Sequence, residues 1–145
     1  FPVKSSTTAS LAFEYLPPGG SASGVLWFTG NPYPCLSVYA PILLIRGEFV
    51  PLWTGYDYEE GARSSTERWE LGRAGARRAG GALRSSDPEF AQMRDGIQER
   101  LVAATALGDP SSARAAVGEA MAEWEERASV LFPRKKPALP CRKYS

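Results

Sequence analysis

The chain has 145 residues, 43% hydrophobic and 23% charged, with a net charge of +1. That is room for one globular core of ordinary composition, and the small net charge conceals a basic C-terminal tail. The sequence contains no histidine, which excludes a Ser-His-Asp or Cys-His dyad within the chain and most zinc chemistry.

Residues 1–58 read as strand-rich. Ser5 to Leu16 is rich in Ser, Thr, Phe and Tyr and stops at Pro17-Pro18-Gly19-Gly20, the pattern of a strand running into a turn. Val25 to Thr29 reads as a second strand. Gly30-Asn31-Pro32-Tyr33-Pro34 reads as a rigid loop, because two prolines remove backbone donors and force the residues before them into extended conformations. Leu36 to Ile45 reads as a third strand, with Pro41 placing it at a sheet edge or a bulge. Phe49 to Trp53 adds a fourth.

Residues 59–132 read as helical. Ser64 and Glu67 have the spacing of a capping box, but Gly72, Gly75, Gly80 and Gly81 make the helix after it weak. Asp87-Pro88 is a stronger start, because Asp caps free backbone donors and Pro fits the first helical position. Phe90, Met93, Ile97 and Leu101 then share one face. Gly108 ends that helix, and Asp109-Pro110 starts another with an apolar stripe of Ala113, Val117, Ala120, Met121, Trp124 and Ala128. The spacing predicts an antiparallel helical hairpin that ends before Pro133. Residues 133–145 form a basic, Pro-rich tail holding Arg134, Lys135, Lys136, Arg142 and Lys143 without an acid. Pro133, Pro137 and Pro140 and the scarcity of aromatic neighbours argue for a solvated or docked tail rather than a nucleic-acid site. The whole reads as a single unit.

The longest strongly apolar run, Ile42 to Ile45, is too short to span a bilayer. The opening Phe-Pro-Val-Lys-Ser-Ser lacks the apolar core of a secretory signal. We therefore expect a cytoplasmic protein that contacts neither membrane nor nucleic acid. Phe1 in place of a start methionine leads us to expect a longer encoded product. Two cysteines, Cys35 and Cys141, occur without CxxC or Cys/His spacing, and reduced thiols are the default. No metal or cofactor is expected.

Few residues carry chemistry. Glu59-Glu60 and Glu125-Glu126 are adjacent pairs in charge-rich sequence, better explained as solvated faces than as a glycosidase pair. The glycines from Gly72 to Gly81 lack the Lys-Ser and strand context of a phosphate loop. Cys35 follows the rigid turn and lies close to the hydroxyls of Ser37 and Tyr39. The simpler reading is a small buried hydrophobe packing a strand; as a nucleophile it would need a nearby cation or helix N-terminus to lower its pKa. Asn31 fits a turn residue, or a donor to a substrate carbonyl.

Thr7-Thr8-Ala9-Ser10, Trp27-Phe28-Thr29-Gly30-Asn31-Pro32 and Pro34-Cys35-Leu36-Ser37-Val38-Tyr39-Ala40-Pro41 together resemble the C-terminal half of the secernin and dipeptidase family of cysteine hydrolases. The resemblance rests on residues 5–45. It implies an α+β fold, part of an αββα N-terminal-nucleophile hydrolase sandwich, acting on amide bonds of dipeptides or small acyl compounds. In that class the N-terminal cysteine uses its own α-amino group as base, a group whose pKa near 8 makes histidine unnecessary. Phe1 and the internal Cys35 do not fill that role, so no catalytic residue is assigned. The nucleophile is expected upstream in the same polypeptide or on a companion chain. Thr8, Ser10, Asn31, Cys35 and Ser37 are the expected substrate-binding residues, for a small peptide-like substrate. The alternative is a non-catalytic interaction domain using the 87–132 hairpin. A thiol-redox pair of Cys35 and Cys141 is a third reading, which needs the two to come within bridging distance.

Overall fold

The computed structural model describes residues 9–30, 37–53, 88–107 and 109–131. The Ser64 helix, the basic tail and both cysteines lie outside them. The described chain is α+β: four antiparallel strands and then two helices. The strands are β1 (Ser10–Tyr15), β2 (Gly24–Thr29), β3 (Ala40–Ile45) and β4 (Glu48–Pro51), and they lie in the sheet in sequence order. The helices are α1 (Pro88–Thr105) and α2 (Pro110–Leu131).

Register decides which residues face the helices. Ala12 pairs with Trp27, Glu14 with Val25 and Ser10 with Thr29 across β1 and β2. Val25 pairs with Leu43 and Trp27 with Pro41 across β2 and β3. Paired residues share a face and successive residues alternate. The inner face therefore holds Ser10, Ala12, Glu14, Val25, Trp27, Thr29, Pro41 and Leu43. The outer face holds Leu11, Phe13, Tyr15, Leu26, Phe28, Ile42, Leu44 and Phe49. On the inner face Val25, Trp27, Thr29, Pro41 and Leu43 are buried.

The two helices supply the other half of the core. Phe90, Ile97, Leu101 and Ala104 of α1 are buried, as are Ala113, Val117, Ala120, Met121 and Trp124 of α2. Both stripes match the apolar spacing of the sequence. The alanines let the helix axes approach closely, while Phe90 and Trp124 meet edge to face with ring centroids 6.3 Å apart. Truncating a fully buried side chain such as Leu101 to alanine carries a cost of roughly 2–5 kcal/mol. Arg100 pairs with Glu123 across the hairpin, and Arg127 reaches the same carboxylate at 2.9 Å. These pairs are solvent-exposed enough to contribute little.

Asp109 shows why α2 begins where it does. Its Oδ2 accepts from the Ser112 backbone N–H and the Ser112 hydroxyl, both at 2.8 Å, and so satisfies a donor the helix leaves unpaired. α1 begins at Pro88 as expected; Asp87 lies outside the described residues.

Two strand readings change. The third strand starts at Ala40 rather than Leu36, and Pro41 sits in an interior strand, not at a sheet edge. Interior proline is tolerated because its missing donor faces the far end of the β3–β4 ladder. There the Pro41 carbonyl still accepts from Leu52 N–H at 3.2 Å, one residue past β4. Arg46 and Gly47 join β3 to β4 with φ of 51° and 82°, the mirror-image turn that matches strand twist. On the outer face, Phe13 lies against Gly24: a Cβ at Gly24 would fall 2.5 Å from Phe13 Cζ. A side chain there would push the half-exposed Phe13 ring aside and crowd the Glu14 carbonyl at 3.0 Å.

Candidate functional site

One end of the inner face gathers four hydroxyls. Ser10 and Thr29 are ladder partners. Tyr39, just before β3, donates its hydroxyl proton to Ser10 Oγ at 3.0 Å. The buried Thr29 hydroxyl donates to Ser37 Oγ at 3.2 Å, and Ser37 in turn donates to the Val38 carbonyl at 3.2 Å. Alternation along β1 and β2 places the first pair, and the chain entering β3 brings the second pair onto them.

Helix α1 fixes that entry. The Tyr39 backbone N–H donates to Gln98 Oε1 at 2.8 Å, and Gln98 Nε2 donates back to the Tyr39 carbonyl at 3.3 Å. The side-chain amide thus takes the place of a neighbouring strand, satisfying both main-chain groups of Tyr39 where the ladder has not yet begun. A helix residue and a strand residue 59 positions apart in sequence are joined through two hydrogen bonds.

Between α1 and this part of the sheet lies an open groove of about 610 Å³. The sheet wall is Ala12, Glu14 and Trp27, the end wall is Ser37 and Tyr39, and the helix wall is Arg94, Asp95, Gln98 and Val102. Glu14 Oε2 accepts from Trp27 Nε1 at 3.2 Å, which orients the carboxylate along the indole. Arg94 lies opposite on the helix. Its Nη2 is 2.8 Å from Asp95 Oδ1, and its guanidinium carbon sits 5.9 Å from the centre of the Phe90 ring, a distance that favours cation–π attraction. One wall thus presents a negative group and the other a positive group held between a carboxylate and an aromatic face.

Of the expected substrate-binding residues, Ser37 lines the groove and Ser10 bonds the Tyr39 that lines it. Thr8, Asn31 and Cys35 lie outside the described residues. Glu14, Trp27, Tyr39, Arg94 and Gln98 were not singled out by the sequence reading as ligand contacts. The signal for two of them was available: Arg94 and Gln98 are four apart and therefore share a helix face. The other three needed the strand register, which composition does not give.

The groove's described side chains offer charged and hydrogen-bonding groups. Neither Ser10 nor Ser37 bonds to a carboxylate, amine or imidazole among the described residues, so neither hydroxyl has an activating base there. Among the described residues no group of three or more Cys, Asp or Glu side chains is placed to hold a metal ion. No helix among them is long and apolar enough to cross a membrane. Compared with known proteins, the chain matches no family model, no curated protein and no solved structure.

Proposed function

We propose that the chain is the nucleophile-free, substrate-holding part of a secernin-like or dipeptidase-like cysteine hydrolase, and that its groove receives a zwitterionic dipeptide or similar small acyl compound. The observation that carries the reading is the placing of Glu14 on the sheet wall across from the Arg94–Asp95 ion pair on α1, where a ligand carboxylate would share the guanidinium with Asp95. A dipeptide carries an ammonium at one end and a carboxylate at the other, with one amide between. Glu14 suits the first and the Arg94 guanidinium the second, since a planar fork of donors matches a carboxylate. The hydroxyls of Ser37 and Tyr39, and the Gln98 amide, supply neutral partners along the middle.

Layer order supports the same reading. Helices cover the inner face of the sheet, while the outer face is also apolar, as a sheet needs when a second sheet stacks on it. A sheet with helices on one side and an apolar opposite face suits one half of an αββα sandwich, and on this proposal the nucleophile and the second sheet come from upstream sequence or a companion chain. An interaction role for the 87–132 hairpin draws less support, because Phe90 and Trp124 turn into the core.

Titration of the 145-residue chain with a free dipeptide, followed by backbone amide NMR, tests the proposal. Shifts at Tyr39, Arg94 and Gln98 are expected, and are expected to vanish for the N-acetylated or C-amidated peptide and in Glu14→Gln or Arg94→Gln variants. Equal shifts for free and blocked peptides, or none at millimolar concentration, would overturn it.

A further inference from the structure

Among the described residues, β1 lies at the edge of the sheet with a strand on one side alone. Leu16 N–H donates to the Ser23 carbonyl at 3.0 Å, so the even-numbered residues of β1 turn their main-chain groups toward β2 and the odd-numbered ones turn theirs away. Leu11, Phe13 and Tyr15 therefore present N–H and C=O groups at the sheet edge, with no partner for them among the described residues. Their side chains are also the exposed ones, at 62%, 42% and 85%. Strand β1 runs six residues without proline, lysine or bulge, three of the devices that protect an edge, and its single charge is the inward-facing Glu14, bonded to Trp27.

The opposite edge differs. Leu52 N–H bonds the Pro41 carbonyl, so the outward positions of β4 are Phe49 and Pro51. Pro51 has no donor to offer. Among the described residues the β4 edge is therefore the poorer template for a further strand, and the β1 edge the better one.

We propose that β1 pairs antiparallel with β1 of a second copy of this chain, about a two-fold axis at Phe13. The occupant is argued from register. Outward groups bond only outward groups, and the alignment that uses all three residues sets Phe13 opposite Phe13 of the partner subunit and Leu11 opposite Tyr15 of the partner subunit. On the inner face the same alignment sets Glu14 opposite Ala12 of the partner subunit, so the one charge on the strand does not oppose itself. Apolar residues meet apolar residues at all three bonded positions. Because the two-fold axis uses the β1 edge of both copies, association through it closes at two copies, and Pro51 lowers the donor count on the remaining edge. The joined sheet has eight strands. Ala12 and Glu14 both line the groove, so the pairing brings the two grooves side by side across the axis.

A six-residue edge closes less area than the roughly 1,200 Å² of standard specific interfaces, which makes the expected dimer weak and reversible. Sedimentation equilibrium of the 145-residue chain from micromolar to millimolar concentration is the test. A monomer–dimer equilibrium is expected, weakened at least tenfold by Leu11→Lys, which leaves the core untouched and should leave the far-ultraviolet dichroism unchanged. Register has its own readout. In a sample mixing isotopically labelled and unlabelled copies, an intermolecular Hα–Hα contact is expected between Ala12 and Glu14 of the partner subunit. A monomer throughout, a dimer indifferent to Leu11→Lys, or a dimer without that contact would overturn the pairing. None of these outcomes bears on dipeptide binding, which is read from amide shifts.

Discussion

At the scale of single residues, Asp109 shows a local device with a pH signature. Hydrogen bonds from the Ser112 backbone N–H, and next from the Ser112 hydroxyl, hold its carboxyl below the usual aspartate value. A depressed folded-state value means the unfolded chain binds the proton more tightly. The cap's stabilisation is then fully present above the unfolded-state pKa and lost as pH falls through the folded-state pKa. Asp109→Ala is expected to lower the thermal midpoint near neutrality. The gap from the parent should close as the pH is taken below the folded-state value, and melting curves across an acid series check this. The cap was legible in Asp109-Pro110 itself, because the residue types that satisfy helix donors are few. By contrast, the left-handed Arg46 was hidden. Nothing in an arginine signals positive φ, and only the following Gly47 hinted at a two-residue turn.

At the scale of elements, apolar periodicity served the helices well and the strands less so. Phe90, Ile97 and Leu101 and the α2 stripe from Ala113 to Trp124 are buried as their spacing required, since a helix fixes its own face over several turns. Strands take their partners from elsewhere, and so the start of β3 was placed four residues early. Residues 37–39 continue the strand-like sequence of β3, but α1 rather than a strand pairs with Tyr39. That link is testable. Gln98→Ala leaves the part-buried N–H and C=O of Tyr39 without partners, and the expected loss is about 2 kcal/mol in urea unfolding, with faster hydrogen exchange at the Tyr39 amide. Gln98→Glu should fall between parent and alanine, because an ionised carboxylate still accepts from the N–H but offers nothing to the carbonyl. The same distance in sequence explains why the groove went unread. Ser10 and Ser37 were picked for their hydroxyls, but Glu14 and Arg94 become neighbours of one space only after the hairpin docks on the sheet.

At the scale of the whole molecule, the α+β class and the order of strand-rich and helix-rich parts were legible because composition changes once along the chain. Which layers stack was not, because the outer face is as apolar in sequence as the inner one. The sheet in sequence order has a further consequence, for the time course of folding. Each strand pairs with the strand beside it in the chain, and the two helices form a hairpin of their own. Both halves can thus form from near neighbours, with little loop entropy lost before contacts reward it. Among the described residues, docking of the hairpin on the sheet joins distant parts of the chain. Stopped-flow tryptophan fluorescence should therefore show a main refolding phase in the millisecond range. Gln98→Ala should accelerate unfolding more than it slows this phase, if docking follows the formation of each half. The molecule would then be assembled as two quickly made parts whose late union also creates the groove.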